Sequence, residues 1–201
     1  MRPASGAVAP PVRWQAVRVF LDFEASSLGK NGFPIEVAWV FEDGGEETHL
    51  IRPAPGWTEW DPAAEAIHHI PLATLRADGQ SHDQVAQRMV EVLTGHDLLA
   101  SAPSWDGKWL SLLLRAAGLP RHALRLRDTE EAWAETARDL LRSVVAPGKL
   151  EDEVESLLTL AEVRDKGQPA HRALPDAQGE RARWLAIEAT AADAARERSS
   201  A

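Results

Sequence analysis

Apolar residues in the first part of the chain run together or alternate, whereas later they recur every third or fourth position. The run Val17-Arg18-Val19-Phe20-Leu21-Asp22-Phe23-Glu24 is rich in β-branched, aromatic and aliphatic residues and predicts a buried strand that ends on two carboxylates. Phe33 to Phe41 alternates into a second strand, Asp43-Gly44-Gly45 is a hairpin turn signal, and Glu46 to Arg52 supplies a third strand. These three strands are expected to be antiparallel.

The helical period then takes over. Asp61-Pro62-Ala63-Ala64-Glu65 predicts a short helix with an acid cap and a proline in its first turn, stopped by Pro71. Ser81-His82-Asp83-Gln84 is a capping box for a helix through Leu93, with the apolar stripe Val85, Met89, Val92 and Leu93. Asp97 to Ala102 is a short buried strand, Trp105 to Ala117 a helix ended by Gly118 and Pro120, and His122 to Arg127 another strand. Asp128-Thr129-Glu130-Glu131 caps a helix to Val145. Leu150 to Lys166 reads as an acidic amphipathic helix, Gly167-Gln168-Pro169 as a break, and Pro175 to Ala195 as the last helix.

That order predicts an α/β domain on a mixed five-stranded sheet flanked by helices. Three antiparallel strands come first, then strands parallel to the first of them, reached through right-handed crossovers. Ligands of such sheets gather at the carboxyl ends of strands, near a switch in strand order. Asp22 and Glu24 occupy such an end. Residues two apart on a strand face the same way, so these acids sit side by side. Two like charges there repel and lose hydration, which a divalent cation would offset; acids simply facing water are the plainer alternative.

Composition narrows the chemistry. The 201 residues are expected to form one domain over 15–195, with a loose leader at 1–14 and a frayed tail at 196–201. The leader has no apolar core of a signal peptide, and no run approaches membrane-spanning length, so a cytoplasmic protein is expected. With no cysteine, disulfides and thiolate metal sites are excluded, and any metal must take carboxylate or imidazole, which suits Mg²⁺ or Mn²⁺. The net charge of −9 argues against salt-driven binding along long nucleic acid, though not against gripping a short end through a metal.

Two more acids occupy comparable positions. Asp106 lies at the start of the helix after the Asp97 strand, and Asp176, in His171-Arg172-Ala173-Leu174-Pro175-Asp176, lies at the start of the last helix. Singly, each could be a helix cap. Together, D-x-E on the first strand, an aspartate opening a mid-chain helix and H-x-A-x-x-D late in the chain resemble the DEDDh 3′–5′ exonucleases of the ribonuclease-H-like superfamily. That group includes proofreading exonuclease subunits, ribonuclease T, oligoribonuclease and TREX-type enzymes. Ala66-Ile67-His68-His69-Ile70 is similar to the family's I-H-G-I segment, with His69 in place of glycine, and Asp128-Thr129 to its D-T. The resemblance spans Val17 to Thr190. It departs at Ala102, where the family usually has asparagine, while Trp105 keeps the aromatic before the aspartate.

The resemblance implies a ribonuclease-H-like fold and a two-metal hydrolysis of phosphodiester bonds at single-stranded 3′ ends of DNA or RNA, releasing nucleoside 5′-monophosphates. It implies two Mg²⁺, with Mn²⁺ as a substitute, held by Asp22, Glu24, Asp106 and Asp176, and His171 as general base. Ala25, Ser26, Leu28, Ile67 and His68 would lie near the terminal nucleotide. Several members are homodimers, which extends to this chain as an expectation. A catalytically degenerate nucleic-acid- or nucleotide-binding module of the same fold is the alternative. A haloacid-dehalogenase-type phosphatase is disfavoured by Glu24 at the second acid and by the late H-x-A-x-x-D. Lys30, Lys108, Lys166 and Arg172 are candidate phosphate contacts, and Trp57 and Trp60 candidate base-stacking groups. Trp39, Trp105, Trp109, Trp133 and Trp184 are expected in the core or an interface.

Overall fold

The computed structural model describes residues 16–164 and 170–200. The predicted leader, Lys166 and the Gly167-Gln168-Pro169 break lie outside them. Six strands form one mixed sheet: β1 (Arg18–Ala25), β2 (Pro34–Phe41), β3 (Glu46–Arg52), β4 (Gln80–Ser81), β5 (Asp97–Ala100) and β6 (Leu126–Asp128), in the spatial order β4-β3-β2-β1-β5-β6. The count exceeds the expected five because a two-residue edge strand precedes the capping box. Ser81 pairs with Arg52 through its backbone while its hydroxyl accepts from Gln84 N at 3.3 Å.

Among the described residues seven α-helices accompany the sheet: α1 (Pro62–His68), α2 (Leu72–Asp78), α3 (His82–Leu93), α4 (Pro103–Ala116), α5 (Thr129–Leu141), α6 (Leu150–Arg164) and α7 (Ala173–Ser199). The caps predicted at Asp61, Ser81 and Asp128 all bond the first-turn amides of their helices. Helix α2 was not expected: Pro71, read as a stop, also serves as its N-cap, and only Leu75 of that helix is buried. Helix α7 runs to Ser199, past the Ala195 boundary drawn from sequence.

Side-chain alternation on β1 divides the core. Val19, Leu21 and Phe23 pack with Val37 and Trp39 under α3 and α4, through Val85, Met89, Leu93, Trp109 and Leu113. Phe20 and Leu99 point the other way and pack under α5, α6 and α7, against Trp133, Leu157, Trp184 and Ile187. Each such buried side chain contributes roughly 1.5–3 kcal/mol relative to exposure. Strand β2 departs from the expected alternation. All but its last residue are buried, because it is a central strand covered on both faces.

Strand β1 is where the sheet changes sense: it pairs antiparallel with β2 and parallel with β5. The parallel pairing runs from Arg18↔Asp97 to Phe20↔Leu99, and β5 ends at Ala100. The carboxyl end of β1, Asp22 to Ala25, therefore projects beyond β5, and the first turn of α4 fills that space.

Candidate active site

Asp22 and Glu24 follow Phe20 on the α7-facing side of the sheet, as period-two alternation dictates. A β-bulge between Glu24 and Ala25 ends the regular pairing beside them. Asp176, in the first turn of α7, meets them from above. Asp22, Glu24 and Asp176 each offer a carboxylate oxygen, and these oxygens lie within 4.8 Å of one another. Asp106 arrives from the first turn of α4. It is 4 % exposed, and its Oδ2 has no hydrogen-bond partner among the described residues.

The electrostatics bear the marks of crowding. Burial, then the charges of Asp106, Glu24 and Asp176, hold the Asp22 carboxyl well above the usual carboxylate range. Glu24 is pushed up to about 7 by burial and by Asp176 and Glu36, with Arg172 opposing. Burial raises Asp106 to about 7, although the backbone amides of Phe23, Ala102 and Asp106 itself favour its charged form. Asp22, Glu24 and Asp176 bring their carboxylate oxygens together, Asp106 lies near enough for its charge to act on Asp22, and carboxylates are the hard-oxygen donors that suit Mg²⁺ or Mn²⁺. The bare Asp106 oxygen is consistent with such a ligand.

Two further buried acids were missed from sequence. Glu36 on β2 is 2 % exposed and sits directly opposite Glu24 in the register. Its carboxylate accepts from Arg172 Nε at 3.0 Å and Nη2 at 2.7 Å, and from Ala173 N at 3.0 Å. Glu180, one helical turn beyond Asp176, is 7 % exposed and pairs with Arg183 at 2.8 Å. Its charge raises both Asp22 and Asp106. The only available signals were a glutamate inside an apolar strand and the i, i+4 spacing from Asp176.

His171 is exposed in the turn before α7 and adopts the left-handed backbone conformation, φ 53°. The amides on either side of it, Ala170 N and Arg172 N, donate to the Asp176 carboxylate at 2.7 and 3.2 Å. An acid of the cluster thus also shapes the histidine turn.

The remaining predicted site residues fall into two groups. Leu28 is 69 % and Ile67 51 % exposed, so these large apolar side chains stand in solvent rather than in the core. Trp105 is 41 % exposed, contrary to the expected core or interface placement. It stacks on Trp109 with Lys108 Nζ above the pair, and Lys108 donates to Gly29 O at 2.9 Å. Ser26 is wholly buried; its hydroxyl accepts from Phe33 N and its carbonyl from Asp61 N, so its polar groups brace the loop after β1, and Ala25 is half-buried. Ser27 and Asn31 N donate to Glu59 in the same loop. His68 is buried, and its Nδ1 accepts from Ile70 N at 3.0 Å. That bond places the ring proton on Nε2, which has no partner among the described residues. His69 takes the left-handed conformation at φ 56°, the geometry for which glycine is the usual choice.

Two sequence expectations are corrected. Arg172 is committed to Glu36 rather than free for phosphate. Trp57 stacks on Phe33 with ring centres 5.3 Å apart, and Trp60 packs on the same ring while donating to Glu65, so both serve a satellite core. An apolar groove of about 670 Å³ opens between α5, α6 and α7, and none of the four carboxylates lines it.

Comparison with solved structures finds exonuclease I. A zinc-bound E. coli exonuclease I complex with single-stranded DNA has a TM-score of 0.60 at 18 % identity, covering 87 % of this chain and 40 % of that one. A further exonuclease I structure gives a TM-score of 0.62 at 17 % identity, over 89 % of this chain and 43 % of that one. The moderately thermophilic exonuclease I of Methylocaldum szegediense gives 0.52 at 15 % identity, over 64 % and 30 %. The chain spans about two fifths of the length of the first of these. No protein family and no curated protein matches it by sequence. The likeness establishes the fold: a mixed sheet of three antiparallel strands followed by parallel ones, flanked by helices, in the ribonuclease-H-like arrangement of these exonucleases.

Proposed function

We propose that the chain is a divalent-metal-dependent 3′–5′ exonuclease acting on single-stranded 3′ ends of DNA or RNA and releasing nucleoside 5′-monophosphates. One observation carries this reading. Six carboxylates crowd the end of β1, and two of them have their own arginine: Glu36 has Arg172 and Glu180 has Arg183. Among the described residues, the four with no arginine paired to them are Asp22, Glu24, Asp106 and Asp176, the set that the resemblance selects. Four formal negative charges match two divalent cations, the complement that phosphodiester hydrolysis uses.

These four residues would hold the ions. When bound, the ions supply neutralisation of phosphate charge and a water of lowered pKa. His171 stands exposed beside the cluster and takes the proton from the attacking water. The water oxygen bonds to phosphorus, the phosphorus–O3′ bond breaks, and the departing 3′ oxygen picks up a proton from solvent. The chain residues Leu28 and Ile67 offer apolar surface to the terminal nucleotide, with the buried His68 following Ile67 at the end of α1. The exonuclease I complex with single-stranded DNA supports the class of substrate.

The test uses a 5′-labelled oligonucleotide, as DNA and as RNA, with Mg²⁺, Mn²⁺ or EDTA. A ladder shortening from the 3′ end, lost in EDTA and in Asp106→Ala, is the expected result. Clean protein that shortens neither substrate would overturn the enzyme reading and favour a binding module.

A further inference from the structure

Glu24 and Glu36 are direct cross-strand partners, on the same face of the sheet. Two glutamates so placed repel each other unless a cation intervenes. The intervening group is Arg172, which forks onto both oxygens of Glu36 and lies close enough to Glu24 for each to favour the other's charged form. The same Glu36 carboxylate takes the first amide of α7, Ala173 N. Helix α7 has no side-chain cap from its own N-cap residue, Arg172, so a strand carboxylate acts in its place. His171 is the residue immediately before this clasp. On its other side the Asp176 carboxylate holds the flanking amides. A non-glycine residue in the left-handed conformation is held there only when its surroundings over-determine it.

We infer that Glu36 and Arg172 are positioning residues: their two-pronged clasp fixes the turn that presents His171 beside the carboxylate cluster. This rests on the function proposed above. The fork geometry matters, because a lysine at 172 would keep the charge but lose the bidentate match.

The experiment combines Arg172→Lys, Glu36→Gln and the double variant. Oligonucleotide hydrolysis is followed as kcat and KM, and Mn²⁺ affinity is measured on the metal-free protein by titration calorimetry. His171 ring signals are read by NMR, assigned by their loss in His171→Ala. Each single variant should lower kcat about tenfold, with KM and Mn²⁺ affinity changed less than about twofold, and the double should be no worse than either single. The His171 signals should broaden or move towards those of an unstructured histidine. Additive losses, an unchanged kcat, or a fall in Mn²⁺ affinity matching that in kcat would overturn the inference. Were the wild-type protein to hydrolyse nothing, the proposed function would fail alone. The clasp would then stand or fall on the His171 signals, and their identity in wild type and Arg172→Lys would overturn it.

Discussion

The two ends of β5 treat acids in opposite ways. At its amino end, Arg127 on β6 forks onto Asp97 at 2.8 and 2.9 Å and reaches Glu135 on α5 at 2.9 Å. Those bonds hold the Glu135 carboxyl below the usual range. At the carboxyl end, Asp22, Glu24 and Asp106 are all pushed up. The residue types are the same, and the difference lies in burial and in how many arginines the described residues set among the acids. The first network is about one-third to one-half exposed and complete within the chain. The second is charged beyond what its arginines offset. The first network serves the fold, and on the function proposed above the second serves a bound cation.

Removing an acid should therefore act in opposite directions at the two ends. Asp106→Asn should abolish hydrolysis and the stabilisation conferred by Mn²⁺. It should also make the metal-free protein more stable above pH 7, by on the order of 2 kcal/mol, since each tenfold change in proton affinity is worth about 1.4 kcal/mol. Chemical denaturation with and without Mn²⁺ measures both. A metal-free variant less stable than wild type would break the comparison. His171→Ala separates chemistry from charge. It removes no carboxylate, so turnover should fall roughly 10²–10⁴-fold while Mn²⁺ affinity stays within about twofold. Equal losses of both would return His171 to a structural role.

The pH dependence follows from the same contrast. Glu24 and Asp106 titrate in the folded chain at about 7, above the ordinary carboxylate range. Between that range and about 7 the folded chain binds more protons than the unfolded one. Metal-free stability contributed by these groups must then fall as pH rises through that window and level off above it. Divalent cations compete with those protons. The gain in Tm on adding Mg²⁺ should accordingly be several degrees larger at pH 8 than at pH 6. A gain independent of pH would place the ions elsewhere. Arg127→Ala should cost only about 0.5–1 kcal/mol, because its partners are largely solvated, and should leave hydrolysis unchanged.

How much of this was legible depended on how local the cause was. The strand ending in D-x-E and the caps at Asp61, Ser81 and Asp128 could be read because period and capping act within a few residues, whereas Asp106 and Asp176 were singled out by the family resemblance and not by any local rule. His69 stands where the resembled family has glycine, and the backbone there is left-handed, a conformation the sequence reading did not draw from that position. Glu36 and Glu180 were not legible. A buried glutamate is explained by its arginine, and Glu36 meets Arg172 only when β2 and the start of α7 come together. The exposure of Trp105 and the inward packing of Trp57 and Trp60 were also tertiary outcomes. Composition alone could not tell which tryptophans would find Phe33.

The helix starts at the two ends sharpen the comparison on a smaller scale. Helix α5 opens beside β6 with Asp128, whose carboxylate accepts from Glu130 N at 2.9 Å. Helix α4 opens at the site with Ala102, which has no side chain to offer. Asp106 lies in the first turn of that helix, and the backbone amides around it favour its charged form. This acid stands both at the open start of α4 and beside the cluster. Ala102→Asn would provide a neutral cap without adding charge, and caps of this kind are worth about 0.5–1 kcal/mol in most hosts. A rise in Tm of roughly 2–4 °C is expected for a chain of this size. Asparagine would add no charge beside the cluster, so Mn²⁺ affinity should hold or rise. A rise in Tm with a fall in Mn²⁺ affinity would mean that the amide displaces Asp106 from the cluster, and that the alanine is what keeps this carboxylate turned towards the other three.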